Sequence, residues 1–81
     1  MLLLEFTVEP FIEGLPGPHV SAAIEAAQLQ GGEIEFGPFG STCTAANEDM
    51  PNVIAALVRA AFLNGASHIS MHVAQPEPHP T

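Results

Sequence analysis

The chain has 81 residues, of which 47% are apolar and 12% charged, and its nine acidic residues against one base give a formal net charge of −8. That is the composition of one small globular domain, not of a disordered chain, and the lone base, Arg59, excludes a nucleic-acid partner because phosphate contacts draw on Lys and Arg. A chain this short buries only about 60–65% of the surface it exposes when unfolded, so self-association would cover part of the rest.

In chain order, Leu2, Leu4, Phe6 and Val8 alternate with Leu3, Glu5, Thr7 and Glu9, the period of a half-buried strand over residues 2–9 (β1). Pro10 to Pro18 holds three prolines and two glycines and reads as a loop, with Phe11, Ile12 and Leu15 as apolar residues that a purely solvated loop would not need. Pro18 suits the first turn of a helix, and Val20, Ala23, Ile24 and Ala27 recur at helical spacing until Gly31-Gly32 ends the run (α1). Its many alanines suggest a helix lying close to a sheet.

Residues 33–36 form a short strand (β2). Gly37-Pro38 breaks it into a tight reversal, and residues 39–45 form the next strand (β3). Ser41, Thr42 and Thr44 set hydroxyls on both faces of β3, since successive side chains alternate. Thr is also simply a good strand residue on a wet sheet. Asn47 or Asp49 can cap a second helix (α2) that tolerates Pro51 in its first turn. It carries an apolar stripe of Val53, Ile54, Leu57, Val58, Ala61 and Phe62, and stops at Gly65 as a left-handed cap. Ile69, Met71 and Val73 then alternate with His68, Ser70 and His72 as the last strand (β4). Residues 76–81 are a proline-interleaved tail, expected to be extended and mobile, so the folded domain is expected over residues 1–75.

The order βαββαβ, with two helices able to cover one sheet face, predicts a ferredoxin-like α+β fold with an antiparallel sheet in the order 4-1-3-2. Neighbouring β1 and β4 would then place Glu5, Thr7, Ser70 and His72 on the face that the helices leave open. Small proteins of this shape often dimerise through that face.

The chemistry-bearing residues exclude more than they assign. Cys43 is the only cysteine, which rules out an internal disulfide or a thiolate pair for a metal, and it reads as a small buried hydrophobe. His68 and His72 on a strand stand about 13 Å apart, so no single ion is expected between them without a partner chain. His19, at the start of α1, can donate to a ligand or point to water. Neither Cys43 nor Ser41 has a readable base beside it, and the glycines lack the spacing of a dinucleotide or phosphate loop. Met1-Leu2-Leu3-Leu4 meets Glu5 without a basic start, too short for a signal segment or a membrane span, so a cytoplasmic protein without membrane insertion is expected.

Glu9-Pro10-Phe11, the loop Gly14-Leu15-Pro16-Gly17-Pro18-His19-Val20, the segment Glu35-Phe36-Gly37-Pro38-Phe39-Gly40-Ser41-Thr42 and Gly65-Ala66 before a closing strand follow one another in an order that resembles the YkoF-type thiamine- and hydroxymethylpyrimidine-binding family, over about residues 3–74. The resemblance implies a non-catalytic ferredoxin-like binding module for thiamine or its pyrimidine precursor, serving thiamine uptake or salvage. It further implies assembly as a homodimer or homotetramer, without a cofactor of its own. Phe39, Ser41 and Thr42 fall on the family's Pro-Met/Phe-Gly-Ser/Thr run. Thr44-Ala45 stands where many relatives have Glu-Gly, which removes an acidic residue.

An aminopyrimidine offers an amino donor, ring-nitrogen acceptors and two flat faces, which carboxylates, hydroxyls and phenyl rings complement respectively. Glu5, Glu9, Ser41, Thr42, Phe11 and Phe39 supply those groups, with Thr7 and His19 nearby, and the acidic field favours a thiazolium cation. Between the two hydroxyls on opposite faces, Thr42 is expected on the open face with Glu5 and Thr7, and Ser41 on the core side with Cys43. The competing readings are a structural or regulatory oligomer that senses another small molecule, and a cofactor-free dimeric α/β-barrel enzyme using His68 or His72 as acid or base.

Overall fold

The computed structural model describes residues 1–10, 17–37 and 40–76. Phe11 and Phe39, both expected at the site, and the tail beyond Pro76 lie outside the described residues. The elements run β1 (Leu2–Glu9), α1 (Pro18–Leu29), β2 (Glu33–Gly37), β3 (Gly40–Ala45), α2 (Met50–Leu63) and β4 (His68–Ala74). The strands form one four-stranded sheet in the order β2-β3-β1-β4, antiparallel at every pairing. This is the ferredoxin-like α+β fold, in the strand order the sequence predicts read from the opposite edge.

One sheet face and both helices enclose the core. Leu4, Phe6 and Val8 of β1 meet Cys43 and Ala45 of β3, Ala23 and Ala27 of α1, and Met50, Val53, Leu57 and Ala61 of α2, all buried. Ala23 and Ala27 have no exposed surface, and their small side chains sit where α1 packs, chiefly against α2. Truncating a buried Leu such as Leu57 to Ala in a core of this kind costs about 2–5 kcal/mol.

The inward line of α2 runs through residues 50, 53, 57 and 61, so Ile54 and Val58 are half-buried and Phe62 is exposed, a correction to the wider stripe expected from the sequence. In α1 the buried line is His19, Ala23 and Ala27, with Val20 and Ile24 on its flank.

Both helices close with the same device. Gly31 and Gly65 take positive φ of 102° and 104°. The following N–H groups of Gly32 and Ala66 donate back to the Ala27 and Ala61 carbonyls at 2.9 and 3.0 Å, satisfying carbonyls that the helix end leaves free. The N-termini are plainer. Gly17 opens α1 ahead of Pro18, and neither helix has a side-chain cap. Asp49 does occupy the cap position of α2, but its backbone is already helical at φ −90° and ψ −27°. Its carboxylate lies toward Gly31 instead, where an added Cβ would fall 3.2 Å from Asp49 Oδ2.

Candidate functional site

Because residues paired across antiparallel strands share a face, the register fixes what the open face of the sheet presents. Glu35 pairs with Thr42, Thr42 with Glu5, and Glu5 with His72. These four side chains form one row across the whole sheet, roughly 14 Å from edge to edge at the usual strand spacing. A second row runs Glu33, Thr44, Leu3, Ala74. Toward the other end of β1, Thr7 faces Ser70 and Glu9 faces His68.

Glu5, Thr7, Glu9, Glu33, Glu35, His68, Ser70 and His72 are exposed, and Thr42 and Thr44 are half-buried. The strands carry no Lys or Arg, so the face is acidic and rich in acceptors, with hydroxyls at its centre. Glu9 Oε2 lies 3.9 Å from His68 Nδ1, and both side chains are well exposed, so the pair contributes little to stability. His68 Nδ1 also sits 3.0 Å from the Ser67 hydroxyl. The Ser67 N–H donates to the Glu9 carbonyl at 2.7 Å, carrying the ladder one step past β4.

Two expected site residues stand elsewhere. Ser41 faces the helix side, opposite Phe6 and Phe36. His19 is buried, and its ring Nε2–H donates to the Pro10 carbonyl at 2.6 Å. It points neither to water nor to the open face, and it ties together the two chain ends that flank residues 11–16. The reason lies in α1, whose inward line takes His19 into the protein together with Ala23 and Ala27.

Cys43 is fully buried on the helix side of β3. Burial pushes its thiol above the ordinary thiol range, with a backbone hydrogen bond at Glu33 pulling the other way. Among the described residues no group of three or more His, Cys, Asp or Glu side chains is placed to hold a metal ion. His68 and His72 each face a different carboxylate, Glu9 and Glu5.

Glu35 was not among the candidate residues, and His72 was expected on the open face but not as a ligand contact. Their signal was the hairpin register. Gly37 pairs with Gly40, which sets Glu35 opposite Thr42, and the same counting across β1 and β4 sets His72 opposite Glu5.

Fold and face together define a ferredoxin-like α+β domain whose sheet, among the described residues, leaves one polar, acidic surface uncovered by the helices. No family model matches the chain, and none of the curated proteins matches it. Among solved structures it is similar to a domain of unknown function, DUF77, from Bacillus cereus, with a TM-score of 0.61 at 22% identity over 90% of this chain and 71% of that one. That likeness is one of fold. No helix among the described residues is long and apolar enough to cross a membrane.

Proposed function

We propose that this chain is a non-catalytic binding protein for thiamine or its hydroxymethylpyrimidine precursor, acting in thiamine uptake or salvage. The observation that carries the reading is the row Glu35, Thr42, Glu5, His72 on the open face. A carboxylate accepts from an exocyclic amino group, the Thr42 hydroxyl can donate to a ring nitrogen or accept, and His72 adds a second group that can do either. The surrounding carboxylates favour a cationic ring by their field. The resemblance of the Glu35–Thr42 segment and of the Gly14–Val20 loop to the thiamine-binding family supplies the ligand class.

Calorimetry with thiamine and with hydroxymethylpyrimidine tests the reading, because a chain without Trp or Tyr has no strong intrinsic fluorescence to follow. The parent is expected to bind at least one of the two. Glu5→Gln and Thr42→Val each remove one hydrogen bond to the ligand at little cost to the strand, and each is expected to weaken binding by about 5- to 150-fold, the equivalent of 1–3 kcal/mol. No heat from either compound would remove the reading. Unchanged affinity in both variants would move the site off this face.

A further inference from the structure

The chain has three asparagines, Asn47, Asn52 and Asn64, and the main-chain nitrogen that follows each is held differently. An asparagine reacts with its own chain through that nitrogen, which gives up its proton, attacks the side-chain Cγ and closes a five-membered ring. After Asn52 the nitrogen belongs to Val53, a buried β-branched residue, and its N–H donates to the Asp49 carbonyl at 2.9 Å inside α2. After Asn47 it belongs to Glu48, whose carboxylate disfavours a negative nitrogen. After Asn64 it belongs to Gly65, which is exposed and has nothing beyond its chain neighbours within 4 Å of where a Cβ would stand. The Gly65 N–H reaches the Phe62 carbonyl only at 3.5 Å, past the usual hydrogen-bond range of about 2.7–3.2 Å.

We propose that Asn64 is a site of spontaneous covalent modification, at which the Gly65 nitrogen displaces the side-chain amide and leaves aspartate or isoaspartate at the end of α2. The Gly65 nitrogen passes its proton to solvent and bonds to Asn64 Cγ. The Cγ–Nδ2 bond then breaks, and Nδ2 takes up a proton and departs as ammonia. Water opens the resulting cyclic imide. Addition at Cγ gives aspartate, and addition at the main-chain carbonyl gives isoaspartate. Nothing is oxidised or reduced, and water is the only co-reactant.

The helix end both delays the reaction and suffers from it. Asn64 has a ψ of 18°, and the chain must turn there before Cγ meets the Gly65 nitrogen. The Asn64 Nδ2–H donates to the Ala60 carbonyl at 2.7 Å and the Ala66 N–H to the Ala61 carbonyl at 3.0 Å, and both bonds resist the turn. A helix terminus is where such bonds open most readily. The Ala60 carbonyl takes the side-chain donor in place of the Asn64 N–H, which goes to Ala61 at 3.1 Å. A carboxylate has no proton to offer it, and a negative charge at a helix C-terminus opposes the helix dipole. Isoaspartate also adds one carbon to the main chain between α2 and β4, just ahead of the Ser67 N–H that donates to the Glu9 carbonyl at 2.7 Å. The inference stands whether or not the open face binds thiamine.

Ageing the full chain in mildly alkaline buffer, then cleaving after Arg59, tests the site, because the only basic residue separates Asn64 from the other two asparagines. The fragment of residues 60–81 is expected to gain about 1 Da and to accept a methyl group from an isoaspartyl carboxyl methyltransferase, while the fragment of residues 1–59 keeps its mass. Asn64→Gln, whose longer side chain would have to close a six-membered ring, is expected to block the change. Asn64→Asp installs the new charge directly and is expected to lower the urea midpoint. Ageing is expected to lower it in the parent and not in Asn64→Gln. A fragment of residues 60–81 that keeps its mass in the folded chain, or conversion of Asn47 or Asn52 ahead of Asn64, overturns the site. An Asn64→Asp midpoint equal to the parent's overturns the effect on the helix end.

Discussion

Gly32 lies over Cys43 so closely that a Cβ built on its backbone would fall 2.7 Å from the thiol sulfur and 3.0 Å from the Ala27 carbonyl oxygen. The chain leaves α1 and enters β2 at this point, and the missing side chain lets the helix end settle onto the sheet. Neither neighbour can yield, since Cys43 is fully buried and the Ala27 carbonyl accepts from the Gly32 N–H at 2.9 Å. Gly32→Ala is therefore expected to lower stability by about 1–3 kcal/mol, as overpacking a tight site does. Urea unfolding reads it, and Cys43→Ala in the same chain is expected to restore part of the loss. A Gly32→Ala midpoint equal to the parent's would show that the contact is looser than its geometry implies.

The thiol of Cys43 gives a prediction in pH. Burial raises it above the ordinary thiol range, so the unfolded chain loses this proton at lower pH than the folded one. Above about pH 8.5, where an unfolded thiol ionises, the unfolded state binds fewer protons and stability falls as pH rises. Cys43→Ala is expected to flatten that slope. A thiol reagent added to the native protein at neutral pH is expected to react slowly, and at full rate once urea has unfolded it. Rapid labelling of the native state would contradict the burial.

Gly17 and His19 form a coupled pair. A Cβ at Gly17 would sit 2.5 Å from the His19 Cε1 and 2.7 Å from Nδ1, and the ring cannot swing away without losing its bond to the Pro10 carbonyl. Gly17→Ala is expected to destabilise the parent and to be nearly harmless in a His19→Ala background. The coupling read from the double-mutant cycle should fall in the range of about 0.5–3 kcal/mol found for residues in contact. Additive effects would mean that the ring does not hold this position.

Thr42 and Ser41 are adjacent in sequence and point to opposite sides of the sheet. Under the proposed function, Ser41→Ala is expected to leave ligand affinity unchanged while Thr42→Val weakens it. Calorimetry on the two variants side by side would show whether binding follows strand parity. A larger loss from Ser41→Ala would put the ligand between sheet and helices.

Much of the architecture was readable from side-chain period. Leu4, Phe6 and Val8 announce their face by alternation, and the same parity puts Thr42 on the open face with Glu5, while the pairing of the two comes only with the register. α2 was harder because it is apolar nearly all round. Residues 54, 58 and 62 keep helical spacing as well as residues 53, 57 and 61 do, and only packing against α1 and the sheet chooses between the lines. His19 was misplaced for a related reason. Read alone it is a polar residue near a loop, whereas its spacing of four from Ala23 and eight from Ala27 puts it on the buried line of α1. Asp49 shows the limit of capping rules, since residue type and position were right for a cap and the backbone turn from Ala46 left its carboxylate facing away.

Among the described residues the charges are unevenly placed, with Glu48 and Asp49 at the turn before α2 and the larger group on the sheet. The helices hold one Glu25 and one Arg59, a balanced pair, whereas the far side of the sheet presents Glu5, Glu9, Glu33 and Glu35. The molecule therefore has an electrical front and back. It should settle on a positively charged support sheet-first, leaving its helices to the solvent. A small cation diffusing toward it should be drawn to the sheet before it meets any single side chain, and added salt should slow that capture by screening the field.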